Sequence, residues 1–411
     1  MFPQDLTRRH FLRASVLAGC SVAAHPFLTS VTLASAPWEN RLVVLILRGA
    51  MDGLDVVRPV GDPTFAALRP TLNTNPGAPT TDLDGFFALH HGLVGLMPLW
   101  QAGELGFVHA TSTPYRDKRS HFDGQDLLEA GTGFDVEAVA ARDGWLNRML
   151  QVVPGVEAET AFALGRDEMK VLAGKAKVLA WSPATKLTLT PQSRLLLEQI
   201  YHDDPLFRDA ALPAMELAQT LNDPLERRQS RDAMTELTEA MRANNPKARP
   251  DALAAFTAAR LNGETRIAAF SINGWDTHKE QGGGLSRTLG TLQNTILTLK
   301  AGLGANWGKT TVLAMTEFGR TARENGSRGT DHGTGGLMVL AGGAVRGGRV
   351  LGRWPGLTEA ALYDRRDLMP TSDVRSHAAW VMRGLFGIDA GLLSGSIFPG
   401  LDIGADTGLL L

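Results

Sequence analysis

Three apolar runs, each as long as a buried β-strand, are followed by an acidic residue or by an acid and a histidine. Runs of this kind are typical of strands that are covered on both faces. Helix-like segments separate them along the chain. The runs and the polar residues after them are Leu42–Leu47 with Asp52, Ile267–Phe270 with Asp276 and His278, and Thr311–Met315 with Glu317, Asp331 and His332. The alternation predicts an α/β fold with a mostly parallel central sheet and helices on both faces.

These polar residues are expected to share one site, because open parallel sheets bind ligands beyond the carboxyl ends of their strands. Carboxylate oxygens and imidazole nitrogens are ligands that zinc and similar divalent ions accept. Several carboxylates converging without a cation would also repel one another. We therefore predict one or two divalent metal ions, with zinc foremost and manganese, calcium or iron as alternatives. The predicted ligands are Asp52, Asp276, His278, Glu317, Asp331 and His332.

Each predicted ligand also has a structural interpretation. Asp52 and Asp331 are suited to turns, and the segment from Asp276 to His278 is suited to capping the helix that follows it. Glu317 is a ligand, an acid behind the ligands, or the partner of Arg320.

A candidate nucleophile opens a predicted helix that ends at Gly131. Ser120 lies at its start, where backbone amides and the helix dipole favour an anion. A metal-activated hydroxyl there would attack a substrate, although serine is also a common helix cap. His121 is a site acid or a packed neighbour, and Arg119 or Arg116 would hold the oxyanion of the substrate.

Composition narrows the function. The chain has 411 residues, a formal net charge of -2 and 7% aromatic residues, which argues against a nucleic-acid partner and against extensive stacking platforms. Residues from about 157 to 262 change in character and predict an inserted, mainly helical lid. The glycine-rich run from Gly342 to Val350 predicts a hairpin.

The first 36 residues are interpreted as an export signal. Thr7–Leu12 matches the twin-arginine pattern and precedes a short apolar segment. This predicts the twin-arginine translocase as a partner, a periplasmic or extracellular location, and a mature α/β domain from 37 to 411. Leu17–Cys20 also resembles a lipobox, which would make Cys20 a lipid anchor; the alternative is a small residue in an apolar segment. Cys20 is the one cysteine, so the mature protein forms no internal disulfide.

The segments around Asp52, Ser120, Asp276 and Asp331 together resemble the alkaline-phosphatase superfamily, which includes sulfatases and cofactor-independent phosphoglycerate mutases. More closely, the mature chain is similar to an exported bacterial family, the domain-of-unknown-function 1501 family. The segments that carry this resemblance are Leu47–Leu54, Arg119–Phe122, Gly274–His278, Thr316–Thr321 and Gly329–Gly333. The resemblance implies metal ligands at Asp52, Asp276, His278, Asp331 and His332, and a nucleophile at Ser120. It implies an exported metal-dependent hydrolase that acts on a small anionic phosphate or sulfate ester.

Two features depart from the superfamily pattern. Thr277 alone separates Asp276 from His278, where alkaline phosphatases have three intervening residues. The one late candidate for the last histidine ligand is His377, in a helix-like segment. A one-metal site therefore remains open, as does a non-catalytic periplasmic binding or assembly protein that retains the fold.

Overall fold

The computed structural model describes residues 38–73, 80–133, 143–165, 169–181 and 248–411. The predicted export signal and Cys20 lie outside these residues. In chain order the strands are β1 (Arg41–Arg48), β2 (Val57–Arg58), β3 (Thr81–Asp82), β4 (Ala88–Leu89), β5 (Leu105–Ser112), β6 (Ala161–Leu164), β7 (Leu179–Trp181), β8 (Ile267–Asn273), β9 (Thr310–Met315), β10 (Gly336–Ala341), β11 (Val350–Leu351) and β12 (Ser372–Asp373).

Helices connect and cover these strands. The α-helices are α1 (Gly53–Val56), α2 (Phe65–Leu68), α3 (Met97–Gln101), α4 (His121–Ala130), α5 (Trp145–Val152), α6 (Ala248–Leu261), α7 (Gln281–Leu303), α8 (Val374–Phe386) and α9 (Ala390–Leu392). Short 3-10 segments are His91–Leu96, Ala158–Thr160, Lys170–Leu172, Gly304–Lys309 and Glu359–Ala361, and Leu393–Ile397 is a π-helical turn. None of the helices in the described ranges combines the length and apolar character needed to cross a membrane.

A nine-stranded mixed sheet forms the centre, in the order β11-β5-β10-β9-β1-β8-β6-β7 with β12 beside β5. Strands β9, β1, β8, β6 and β7 are parallel neighbours. Strand β10 is antiparallel to both β9 and β5, so β5 runs in the same direction as β9. The carboxyl ends of β1, β5, β8 and β9 and the amino end of β10 therefore lie at one edge. The predicted α/β fold with a mostly parallel sheet is confirmed.

Both faces of the sheet are covered, as the apolar runs predicted. Alternate residues of β1 face opposite sides, because successive side chains in a strand do so. Val43, Leu45 and Leu47 pack in one core with the apolar stripe of α7, whereas Leu42 and Val44 pack in a second core with α5 and α8. The sheet thus lies between two packed apolar layers, which fixes the starting points of the loops beyond its strands.

The predicted hairpin at Gly342 to Val350 is wrong. Strand β11 pairs in parallel with β5 and not with β10. Both edges of β10 already carry hydrogen-bonded neighbours, β9 and β5, so no edge remains for a hairpin partner.

The described ends of the segment predicted as a helical lid belong to the body of the fold. Strands β6 and β7 extend the main sheet, and α6 packs against α7. The remainder of that prediction, from 182 to 247, lies outside the described residues.

Candidate metal centre

One buried arginine ties together the loops that leave the sheet edge. The guanidinium of Arg320 donates to the carbonyls of Gly49, Ala50, Trp275 and Thr330 at 2.5–3.1 Å. These carbonyls belong to the loops after β1 and β8 and before β10. Arg320 itself lies in the same β9–β10 loop as Thr330, so one side chain fixes three loops relative to one another. From the sequence, Arg320 was considered only as a partner for Glu317, but its observed role is to connect these loops.

Three side chains from separate loops converge beyond this edge. Of all His, Cys, Asp and Glu side chains that the structure describes, His121, Asp276 and His332 form the one group suited to a metal ion, with ligand atoms within 4.8 Å of one another. The Nε2 atoms of His121 and His332 lie 3.5 and 3.3 Å from Asp276 Oδ1. His278 adjoins the group, with its Nε2 at 3.1 Å from the same oxygen and 3.0 Å from His332 Nε2.

The other ring nitrogen of each histidine is bound by an oxygen. The pairs are His121 Nδ1 with Glu317 Oε1 at 2.8 Å, His278 Nδ1 with Asp331 Oδ1 at 2.9 Å, and His332 Nδ1 with the Arg119 carbonyl at 2.8 Å. A carbonyl or carboxylate oxygen accepts a hydrogen bond, so each Nδ1 carries the proton. In the neutral rings each Nε2 then carries the lone pair, and all three Nε2 atoms lie within 3.5 Å of Asp276 Oδ1. The Nε2 of His121 is buried and has no hydrogen-bond partner among the described residues.

This arrangement fits a divalent cation. Three nitrogen atoms with lone pairs and a carboxylate oxygen repel at these distances, and a cation between them would relieve that repulsion. Donors on a tetrahedral zinc ion with bonds of about 2.0–2.1 Å lie about 3.3 Å apart. The separations between the Nε2 atoms and Asp276 Oδ1, at 3.1–3.5 Å, match that spacing. Oxygen acceptors behind metal-binding histidines are also the usual means of fixing their orientation.

Glu317 lies behind His121 and not among the facing ligands. Its carboxylate is fully buried at the carboxyl end of β9. Oε1 accepts from Gly49 N, Ala50 N, Gln125 Nε2 and His121 Nδ1, and Oε2 accepts from Thr316 Oγ1. Burial opposes the charged form, but these hydrogen bonds outweigh it and lower the pKa of Glu317. The ionised carboxylate therefore orients the imidazole of His121, which also stacks on Phe318.

The electrostatic setting differs between the converging groups. The hydrogen bond that His121 donates to Glu317 raises the pKa of His121 above its ordinary value. Burial lowers the pKa of His332. For Asp276, burial opposes ionisation, but the hydrogen bond and charge of Arg320 outweigh it and lower the pKa of this carboxyl. Asp276 is therefore ionised at neutral pH. A proton on His121 would relieve only part of the repulsion at the centre.

Asp52 does not face this group. Arg69 binds both of its oxygens, at 2.6 and 3.0 Å, and Gln281 Nε2 donates to Oδ2 at 2.6 Å. All three side chains are buried. The sequence missed Arg69 and Gln281, since neither follows an apolar run or matches a ligand pattern. Of the predicted ligands, the structure thus brings together Asp276, His278 and His332, adds His121, places Glu317 and Asp331 behind the histidines, and leaves Asp52 in an ion pair.

The candidate nucleophile Ser120 lies between two residues of the centre. It directly precedes His121, and the carbonyl of Arg119 before it holds His332. Its Oγ caps α4 by accepting from Asp123 N at 3.4 Å. Gly131 ends α4 in the left-handed conformation, as predicted.

The two candidate anion-binding arginines differ in their surroundings. Nη1 of Arg116 donates to the carbonyls of Thr113 and Tyr115 at 2.6 and 2.7 Å, so part of its guanidinium holds the local loop. Arg119 is exposed, with a positive φ of 54°. His377, the late ligand candidate, lies in α8 with its Nε2 2.9 Å from Ser372 Oγ, and burial lowers its pKa to about 4.

The fold and the converging side chains define an α/β protein with a candidate His/Asp metal centre at the carboxyl edge of its sheet. The chain belongs to the DUF1501 family: the family model described as "Protein of unknown function (DUF1501)" matches residues 111–375. The matched region contains His121, Asp276, His278 and His332 and begins after Asp52. No curated protein matches the chain.

Proposed function

We propose that this protein is an exported metal-dependent hydrolase of phosphate or sulfate esters, of the alkaline-phosphatase type. The proposal rests on one observation above others, the convergence of three imidazole Nε2 atoms on Asp276 Oδ1. His121, Asp276 and His332 would hold the ion, zinc foremost, and His278 would complete the set. The position beyond the carboxyl ends of the strands supports it too, because α/β enzymes place their sites there.

A divalent ion at this centre would polarise a phosphoryl or sulfuryl oxygen and lower the pKa of a hydroxyl or water beside it. The protein would orient the ligands through Glu317, Asp331 and the Arg119 carbonyl. Ser120, next to His121 at the start of α4, is the proposed nucleophile. The amino end of α4 would favour the anionic ester, and the exposed guanidinium of Arg119 is free to approach it from solvent.

Metal content tests the centre. The exported protein should retain about one ion per chain, since the described ligands form one group. His332→Ala should lose the ion while remaining folded. His91→Ala is the matched control, because His91 contacts Ser286 away from the group and should leave the metal content unchanged. Metal-free wild-type protein that takes up none on reconstitution would contradict the proposal.

Turnover tests the activity. The metal-loaded protein should release phosphate or sulfate from a panel of esters, and chelation should stop it. Ser120→Ala should abolish ester cleavage and spare metal binding. Cleavage that persists in this variant would assign the attack to water and leave Ser120 as a helix cap.

Two contacts favour a second candidate, a non-catalytic periplasmic binding or assembly protein. Asp52 is neutralised by Arg69, and the hydroxyl of Ser120 caps α4. Both residues therefore have structural roles that need no reaction. Metal binding without cleavage of any ester in the panel would favour this candidate.

A further inference from the structure

A pocket of about 460 Å³ adjoins the candidate centre on the side of Asp331. Asp331 links the two, because it lines the pocket and also accepts the hydrogen bond from His278 Nδ1. The volume of the pocket lies within the range of small-molecule sites, about 300–1,000 Å³. A substrate bound at the centre could therefore extend past His278 into this pocket.

The pocket combines an apolar wall with arginines. Leu68, Leu357 and Leu362 form part of its lining and belong to one buried apolar cluster. Arg323, Arg365 and Arg366 also line it. This composition suits a short apolar linker that ends in an anionic group.

The acids of the lining are already engaged. Glu324 accepts from the backbone amides of Thr71 and Leu72 at 2.8–3.1 Å. Asp331 accepts from His278 and Asn325, and Glu359 pairs with Arg365 at 3.7 Å.

Of the three arginines, Arg365 and Arg366 have acidic partners. Arg366 pairs with Asp367 at 2.9 Å. The guanidinium of Arg323 has no acidic partner among the residues that the structure describes, so it is the cation of this lining left to bind a ligand.

We propose that this pocket binds a second anionic group of the substrate, a carboxylate or phosphate joined by a short apolar linker to the ester group at the metal centre. Arg323 is the contact that distinguishes such substrates from singly charged esters. The inference rests on the proposed function for the identity of the first group, and it names the class of substrate that this function acts on.

Binding of phosphonates, which are not hydrolysed, tests the pocket without turnover. The zinc-loaded full chain would be titrated calorimetrically with ω-carboxyalkyl phosphonates of two to six methylenes and with alkyl phosphonates of the same lengths. At the matching length, the carboxylated member should bind about tenfold more tightly, as expected for a hydrogen bond between charged groups. Arg323→Gln should abolish this preference. Arg287→Gln, a change at an exposed arginine of α7, should preserve it.

The outcomes separate the two proposals. Equal affinity of the two series at every length, or a preference that survives Arg323→Gln, would overturn the pocket inference alone. Failure of both series to bind would count against the metal centre and the pocket together. A carboxylate preference without cleavage of the corresponding esters would support the pocket and count against the hydrolase.

Discussion

Replacing Glu317 with glutamine tests the most specific feature of the candidate centre, the buried carboxylate behind His121. Glutamine has the same shape, so its amide oxygen can take the place of Oε1 and its amide nitrogen the place of Oε2. The NH₂ group would then donate to Thr316 Oγ1, whose hydroxyl can donate to the carbonyl of Leu47 at 2.9 Å. Each polar atom that contacts the Glu317 carboxylate thus keeps a partner, and we expect the variant to fold.

The expected loss is in metal affinity. A neutral amide oxygen accepts the Nδ1 proton of His121 less strongly than a carboxylate does, so Nε2 becomes a weaker donor to a cation. The substitution also removes the negative charge of Glu317, which would attract a cation at short range. Changes behind metal-binding histidines weaken metal affinity by about 10–100-fold. With about 1.4 kcal/mol for each factor of ten, this corresponds to about 1.4–2.8 kcal/mol.

Competition with a chromophoric chelator would measure the dissociation constant of zinc in both proteins. Urea unfolding of the metal-free proteins would show whether the variant remains stable. Glu104→Gln is a suitable control, because Glu104 lies at the amino end of β5, away from the candidate centre at the carboxyl ends, and pairs with Lys300. A folded Glu317→Gln protein with wild-type zinc affinity would refute the reasoning that His121 binds metal through Nε2.

Three further predictions concern stability, each measured by urea unfolding. Arg69→Met leaves Asp52 buried without its cation and should lower the free energy of unfolding by about 3–5 kcal/mol. An added Asp52→Asn should restore part of this loss, and a loss under about 1 kcal/mol would contradict the prediction. Burial lowers the pKa of His109 to about 4 from 6.5, so the unfolded chain takes up a proton first as pH falls. Stability should therefore decrease from pH 6.5 to 4 by up to about 3 kcal/mol on this account, and His109→Gln should flatten the slope. Gly319→Ala places a Cβ 1.8 Å from the Gly335 carbonyl oxygen, so it should destabilise the fold by about 1–3 kcal/mol, and an unchanged free energy of unfolding would contradict that clash.

The sheet and its site edge were predictable because β1, β8 and β9 are continuous apolar runs. Such runs indicate burial on both faces, and parallel strands bring their carboxyl ends together. The antiparallel insertion of β10 between β9 and β5 was not predictable, since β5 lies more than 200 residues earlier in the chain. The incorrect hairpin followed from this, because local glycines indicate a turn but not which strand will be the neighbour.

The roles of individual site residues were harder to predict than their location. Asp276 and Glu317 both follow apolar runs, yet one faces the centre and the other lies behind His121. That difference depends on the backbone path after each strand. The loop after β1 directs two backbone amides to Glu317, and Ala50 adopts a positive φ of 59° in doing so. Positive φ at a residue other than glycine is uncommon and leaves no clear signal in the sequence.

The repulsion that a cation would relieve arises at a different part of the site than the sequence suggested. The sequence indicated that converging carboxylates would repel, but guanidinium groups already form ion pairs with two of them. Arg69 neutralises Asp52, and Arg320 lies 2.6 Å from Asp276 Oδ1. The uncompensated feature is instead the set of imidazole lone pairs, because oxygen acceptors fix the proton of each ring on the far nitrogen. Softer nitrogen-rich sites favour zinc and its neighbours over magnesium or calcium. The same charges favour one ion over two, since a second ion at Asp52 would have to displace a buried, bidentate arginine.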